Sequence, residues 1–189
     1  MPATELKEVL THELGDLLYA ERRILTMLKT MEREAADPAL QARLEEHRAE
    51  TEEQIERLGR AFEAIGEKAR AEKCPGIIGL KEEHDSYKRE EKPSKPQLAA
   101  FDLGSGLRVE HYEIAAYRTA MAIAKSLGQR DVVALLKANL DQELAMAKFI
   151  EQSASAALKM AGENAAAVAA KSAAKKGGAA KKGGRKRAA

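Results

Sequence analysis

Apolar residues recur every three to four positions through four long stretches of the chain, which is the spacing of a helix with one buried face. Local signals mark the ends of these stretches. Asp37 before Pro38 indicates a helix start, because Asp caps free amides and Pro costs no hydrogen bond in the first turn. Gly128 follows Leu127 where a glycine can end a helix. The predicted helices cover about residues 4–36, 38–66, 96–128 and 129–161.

The long connection between the second and third predicted helices also contains structure. A short helix is expected between Cys74 and Glu91, with Pro75 at its start and Pro93 after its end. The pattern therefore predicts an all-α protein, a four-helix bundle whose long crossover contains a short helix.

The composition supports this fold class and excludes others. Aromatic residues make up 4% of the chain and Trp is absent, which argues against sheets. Charged residues make up 33%, and no apolar run is long enough to cross a membrane. Cys74 is the single cysteine, so an internal disulfide framework is excluded. The chain begins without the pattern of a secretory signal, and a cytoplasmic protein is expected.

The net charge of +2 conceals two parts of opposite sign. Residues 163–189 contain eight Lys or Arg and one Glu, so this segment carries +7 and leaves −5 for residues 1–162. The segment is built from Lys, Ala and Gly and has no large apolar residue with which to fill a core. Two parts are therefore expected, a bundle at 1–162 and a disordered basic tail at 163–189.

Acidic residues interrupt the predicted buried faces of the first and fourth helices. Each row is apolar except for one carboxylate near its middle, Glu21 in the first helix and Glu143 in the fourth. The other members of the two rows are Leu10, Leu14, Leu17, Ile24, Leu28 and Met31, and Val132, Leu136, Leu140, Ala147, Ile150 and Ala154. Steps of three and four residues are typical of the inward positions of a bundle.

The second and third helices also place acidic residues near their inward faces. In the second, the row after His47 continues through either Glu50 or Thr51, so its middle is polar. In the third, Glu110 and Glu113 lie one turn apart, and at least one is expected to face inward. All four helices therefore offer a carboxylate at a similar level.

Several ionised carboxylates in a dry core require compensation. Burying one ionised carboxylate without a partner costs roughly several kcal/mol even after the protein relaxes. Burying four such carboxylates would therefore exceed the stability of a domain. Two divalent cations would neutralise them, and facing helices of a bundle can supply the oxygen ligands. The alternative is that these side chains bend outward to water or pair with Arg22, Arg108 or Arg118. The spacing leaves both interpretations open.

Five segments resemble the ferritin-like stress-protein family typified by bacterial YciF and YciE, which is also described as a domain of unknown function. They read DLLYAE at 16–21, HRAETEEQ at 47–54, CPGIIGLKEE at 74–83, VEHYEIAAY at 109–117 and LLKANLDQE at 135–143. The resemblance covers essentially residues 4–160 and leaves the basic tail outside it.

The resemblance implies a ferritin-like or rubrerythrin-like bundle, usually a homodimer, with a carboxylate-bridged centre of two iron ions and a link to stress responses. Manganese is the alternative metal. Carried over by position, the ligands would be Glu21, Glu50, Glu110, Glu113 and Glu143. The family's biochemical activity is not settled, so the resemblance names no reaction.

The chain departs from the pattern of ferritin-like oxidases, which have His three residues after Glu on two of the helices. Glu53 and Met146 stand at these positions, and Glu53 as a ligand would make the site richer in carboxylate. The candidates for residues that orient the metal ligands through hydrogen bonds are His47, Gln54 and Tyr117. His47 could also replace a missing imidazole ligand.

Three functional hypotheses follow. The leading one is a protein whose two-metal centre reacts with oxygen or peroxide. The second is a metal-free bundle that acts as a structural or partner-binding stress protein. The third concerns the tail, which could hold the bundle near DNA, and hence at the nucleoid, through contacts with phosphates that do not depend on base sequence.

Overall fold

The computed structural model describes residues 3–35 and 38–183, and for Glu34 and most residues beyond 155 it describes only the backbone. Its five helices are α1 (Ala3–Glu34), α2 (Pro38–Ala64), α3 (Pro75–Glu91), α4 (Lys95–Ser126) and α5 (Arg130–Gly183). No strand occurs in these residues, so the all-α prediction is confirmed. The predicted cap Asp37 lies outside the described residues.

The four long helices form a ring in which each contacts two neighbours: α1 packs on α2, α2 on α5, α5 on α4 and α4 on α1. Adjacent helices are antiparallel, because the start of α1 packs with the ends of α2 and α4 and with the start of α5. Consequently α2 and α4 run in the same direction. The crossover must return the chain along the bundle, and α3 packs against α4 on the way.

Two apolar clusters fill the bundle, one toward each end. The first includes Leu10, Leu14, Leu17, Leu18, Leu58, Phe62, Ala120, Val132 and Leu136. The second contains Ala20, Ile24, Leu28, Leu44, Cys74, Ile77, Val109, Met146 and Ile150. The predicted rows of α1 and α5 therefore do face the core. Between the two clusters lies a layer of polar side chains.

The crossover makes one close approach to the bundle, at Gly15 of α1. The amide of Glu72 donates a hydrogen bond of 2.9 Å to the carbonyl of Gly15. A Cβ at Gly15 would lie 2.7 Å from Cγ of Glu72 and 2.9 Å from the carbonyl oxygen of Arg70. The absence of a side chain at this position thus lets the crossover lie directly on α1.

Helix α5 continues to Gly183, beyond the predicted end near residue 161. Side chains from 167 onward and residues 184–189 lie outside what the structure describes, so the disordered tail at 163–189 stays a prediction. Within the described ranges, no helix combines the length and apolar character that crossing a membrane requires.

Candidate metal centre

The polar layer between the apolar clusters is buried as completely as the core around it. Its side chains come from all four long helices: Glu21, His47, Thr51, Gln54, Glu110, Glu113, Tyr117, Asn139 and Glu143. Glu21 and Glu143 are 0% exposed, and Glu110, the most exposed of the nine, is 4% exposed. The sequence predicted that at least one of Glu110 and Glu113 faces inward, and in the structure both do.

Five of these side chains form two overlapping groups with the spacing of metal ligands. One group consists of His47, Glu110 and Glu143, and the other of Glu21, Glu113 and Glu143. Within each group one possible ligand atom per residue lies within 4.8 Å of the others. Because Glu143 belongs to both, cations held by the two groups would lie next to each other and share one carboxylate.

The same side chains carry buried atoms without hydrogen-bond partners. Among the described residues, seven buried side-chain atoms have none, and six of them belong to the two groups. These six are one oxygen each of Glu21, Glu110 and Glu143, both oxygens of Glu113, and Nε2 of His47; the seventh is the amide oxygen of Gln54. Buried polar atoms are normally paired, so their concentration here indicates a missing partner. Each of the six offers a lone pair to a metal ion once the carboxyl groups and His47 have lost their protons.

Burial makes three of the four carboxyl groups, those of Glu21, Glu113 and Glu143, hold their protons more tightly when no cation is present. It raises the pKa of Glu21 to about 7, although the hydrogen bond from Tyr117 and the charge of His47 act in the opposite direction. Burial raises the pKa of Glu113 well above its usual range, and the charges of Glu21 and Glu143 add to the effect. Burial and the charge of Glu110 raise the pKa of Glu143 in the same way. The ionised form of these buried carboxyl groups is therefore unfavourable unless positive charge lies beside them.

His47 enters the layer from α2 with its ring held in place from behind. Nδ1 lies 3.2 Å from a carboxylate oxygen of Glu50, which also accepts a hydrogen bond of 3.0 Å from Arg43. Nε2 points inward, 3.5 Å from Glu110 and 3.9 Å from Glu143. Burial lowers the pKa of His47, but the nearby carboxylate of Glu110 and the hydrogen bond with Glu50 outweigh burial and raise that pKa to about 9.

Two further carboxylates are held by neutral donors. The amide of Gln54 donates to Glu143, and the hydroxyl of Tyr117 donates to Glu21. Asn139 in turn donates a hydrogen bond of 2.9 Å to the Tyr117 oxygen. One oxygen of each carboxylate is thereby fixed while the other remains free. Supports of this kind orient ligands in metal sites.

The structure does not bring two predicted ligand positions on α2, Glu53 and Glu50, into the two groups. Glu53 lies on the outer face of its helix, with its side chain 62% exposed and paired with Arg57. Glu50 is half-buried and contacts His47 and Arg43 rather than the two groups. The physical reason is a difference of one residue, about 100° around the helix: α2 turns His47, Thr51 and Gln54 inward, so Glu50 lies beside the row.

The arginines proposed as alternative partners do not reach the cluster. Arg22 and Arg118 are exposed, and Arg108 pairs with Glu83 on the outside of the bundle at 3.2 Å. The histidines outside the layer are also remote from it: His12 and His111 are exposed, and His84 bonds to Asp102 at 2.8 Å. The interpretation of outward-bending, arginine-paired carboxylates is therefore wrong for Glu21, Glu110, Glu113 and Glu143.

Sequence reasoning missed two residues that support the layer. Asn139 is 0% exposed and also donates to the backbone carbonyl of Gln54, at 3.3 Å. Arg57 donates hydrogen bonds of 2.7 Å to Asn139 and 2.8 Å to Gln142, and so joins α2 to α5. One signal was available: Asn139 stands one helical turn before Glu143, on the same face.

Cys74 belongs to the second apolar cluster and to the packing of the crossover. It is 1% exposed, and its sulfur accepts a hydrogen bond of 3.3 Å from the amide of Ile77 at the start of α3. Tyr112 joins it to α1, since its hydroxyl lies 2.9 Å from the sulfur and donates to Asp16. Burial raises the pKa of the Cys74 thiol, which favours the unreactive protonated form.

Comparisons with known proteins agree with this architecture. The family model described as a domain of unknown function, DUF892, matches residues 5–163. Protein YciF of Escherichia coli K12 is 32% identical over 141 residues, which cover 74% of this chain and 84% of YciF.

Solved structures give the same result. The E. coli stress protein YciF matches with a TM-score of 0.75 and 30% identity over 82% of this chain and 97% of its own. YcfI of Rhodopseudomonas palustris, for which a structural role has been suggested, matches with a TM-score of 0.73 and 38% identity, over 77% and 92% of the two chains. The chain therefore belongs to the DUF892 family and is a helical relative of the stress protein YciF.

Proposed function

We propose that the protein holds two iron ions in the polar layer and reacts with dioxygen or hydrogen peroxide as part of a stress response. The observation that carries the proposal is the pair of ligand groups that share Glu143, with their unpartnered buried atoms. His47, Glu110 and Glu143 would hold one ion, and Glu21, Glu113 and Glu143 the other. Manganese is the alternative metal.

The residues fit two divalent cations in both charge and chemistry. The four carboxylates carry four negative charges when ionised, and His47 binds metal in its neutral form, so two divalent ions leave the layer without net charge. Carboxylate and imidazole are ligands that suit iron, and carboxylate suits manganese. Met146, in the apolar cluster next to the layer, offers a soft thioether that hard ions do not prefer.

Each neighbouring residue has a definite task in this account. Glu50 keeps the ring of His47 turned so that Nε2 faces inward, while Tyr117 and Gln54 fix Glu21 and Glu143. The apolar clusters above and below exclude water from the layer. When bound, two iron ions supply electrons for the reduction of the oxidant and open positions at which it can bind.

Metal content and peroxide consumption test the proposal together. Protein expressed with added iron should contain about two iron atoms per chain, one for each ligand group, and should consume peroxide. Glu143→Gln should lose iron from both positions because the shared carboxylate is gone. Glu151→Gln, on an exposed part of the same helix, is the matched control and should behave as the wild type. Wild-type protein that folds and contains no metal would refute the proposal.

A metal-free scaffold is the second candidate. The suggested structural role of YcfI favours it, as do the hydrogen bonds that already satisfy one oxygen each of Glu21 and Glu143. Thermal melting separates the two candidates. A metal that binds only the folded state must raise the melting temperature, whereas a scaffold should melt at the same temperature with and without iron.

The basic tail and self-association form a separate proposal. The charge of +7 in residues 163–189 suits contact with DNA phosphates. The resemblance to the YciF family separately favours a homodimer. DNA retention should therefore fall steeply with salt and vanish when residues 163–189 are deleted. Retention that survives the deletion at low salt would remove the tail from this role. Light scattering of the same samples measures the oligomeric state.

A further inference from the structure

The two ligand groups of the polar layer differ in their donor atoms. One contains the imidazole of His47 with Glu110 and Glu143, and the other contains only carboxylates, those of Glu21, Glu113 and Glu143. We infer that the two positions differ in metal preference: when both metals are present, the position that contains His47 selects iron, whereas the all-carboxylate position also accepts manganese. This inference rests on the proposed function, since it assigns the metals of the same site.

His47 is placed to act as a nitrogen ligand. It is 1% exposed, and the carboxylate of Glu50 accepts from its Nδ1 at 3.2 Å. Arg43 donates to that carboxylate at 3.0 Å and fixes it in turn. An Nδ1 hydrogen bond of this kind leaves the lone pair on Nε2 of the neutral ring, which points at Glu110 and Glu143. Nε2 has no hydrogen-bond partner among the described residues.

The other position offers oxygen alone. Both oxygens of Glu113 and one of Glu21 are buried without partners. The amide nitrogen of Gln54, near Glu143, already donates a hydrogen bond and has no lone pair for a metal. No second imidazole approaches the layer within residues 3–35 and 38–183, because the remaining histidines lie outside it. The difference between the positions is thus set by His47.

Metal preference follows from this difference. Imidazole is a ligand that suits iron, whereas carboxylate alone suits manganese and other hard ions. Iron binds more tightly than manganese to most sites, but its advantage shrinks where no nitrogen donor is present. Given both ions, the position with His47 should select iron, and the all-carboxylate position should accept manganese. His47 is therefore the residue that determines metal specificity.

Competitive loading tests the inference without any activity measurement. Metal-free protein is equilibrated without oxygen in equal concentrations of Fe²⁺ and Mn²⁺, crystallised, and measured above and below the iron and manganese absorption edges. We expect the iron-to-manganese ratio next to His47 to exceed the ratio next to Glu113 by about tenfold or more. His47→Ala should abolish this difference, and the exposed control His111→Ala should retain it.

The outcomes separate this inference from the proposed function. Two bound ions with the same ratio at both positions would overturn the inference and leave the two-metal centre standing. A difference that persists in His47→Ala would show that the imidazole does not set the preference and would also overturn it. Wild-type protein that binds no ion in either position would refute the proposed function and the inference with it.

Discussion

Nε2 of His47 on α2 lies 3.5 Å from a carboxylate oxygen of Glu110 on α4, although these two helices stand diagonally opposite in the bundle. The contact therefore crosses the centre of the ring. Side chains of α1 and α5 meet at the same level, because Glu21, Glu113 and Glu143 form the adjoining group. Any change in this layer should consequently affect the packing of all four helices and the binding of cations together.

The metal-free protein should lose stability as the pH rises. The pKa of Glu21 is raised from 4.5 to about 7, and that of His47 from 6.5 to about 9. The folded state binds both protons more tightly than the unfolded state. The stabilisation from each proton is therefore complete below the pKa of the group in the unfolded state, and it is lost as the pH rises through the pKa in the folded state. The free energy of unfolding should therefore fall between about pH 4.5 and 9.

Urea unfolding in the presence of a chelator, at intervals across this range, checks the prediction. Divalent metal should remove the decline, since cations then take the place of the protons. A chelated protein whose stability stays constant or rises through this range would contradict the account of the layer.

Glu113→Gln should change stability and metal binding in opposite directions. Both oxygens of Glu113 are buried without partners, and burial raises its pKa well above the usual range. A neutral amide of the same shape should stabilise the metal-free protein by about 1 kcal/mol at pH 8, where the carboxyl group is costly. It should also weaken metal binding. Chemical unfolding and metal titration measure the two effects, with Glu151→Gln as the exposed control; a destabilised metal-free variant would be inconsistent with this reasoning.

The hydroxyl of Tyr117 should contribute to stability through the buried layer. It donates a hydrogen bond to Glu21 and accepts one from Asn139, so Tyr117→Phe removes one hydrogen bond from each of these side chains. We expect a loss of about 1–3 kcal/mol in the free energy of unfolding. Tyr19→Phe is a suitable comparison, because Tyr19 is only partly buried and stacks its ring under Arg23. Equal effects of the two substitutions would argue against the buried network.

Most of the fold was predictable from the sequence, and so were the candidate carboxylates on three of the helices. Glu21 and Glu143 stand in rows whose other members are apolar, so the inward face of α1 and α5 is unambiguous. On α4, both Glu110 and Glu113 could be proposed from their one-turn spacing. The bounds of α1 to α4 followed closely from prolines, glycines and helix caps, whereas α5 continues to Gly183, beyond its predicted end.

The second helix was harder to predict, for a physical reason. The segment 47–54 contains almost no apolar residue, so nothing in its pattern marks which side chains face inward. A rotation of about 100° per residue then exchanges Glu50 for Thr51 and leaves Glu53 outside. His47 and Gln54 turn inward because they pair with Glu110 and Glu143 on other helices. Such long-range contacts are absent from the local sequence.

Gly15→Ala tests the contact between the crossover and the bundle. The added methyl group would lie 2.7 Å from Glu72 and 2.9 Å from a backbone oxygen of Arg70, so the crossover must shift. We expect a destabilisation of about 1–3 kcal/mol. Gly79→Ala serves as the matched control: it lies in α3 with nothing within 4 Å, and alanine there should stabilise the helix by about 0.5–1 kcal/mol. Thermal melting that ranks the two variants the other way would exclude this contact.

The central claim is that the four buried carboxylates and His47 meet around metal ions. An anomalous difference map at the iron edge, from crystals of protein purified after growth with added iron, tests it most directly. The account predicts two peaks in the layer, one beside His47 and Glu110 and one beside Glu21 and Glu113, with Glu143 between them. A map without peaks there, in crystals soaked with saturating iron and with the carboxylates ordered, would contradict it.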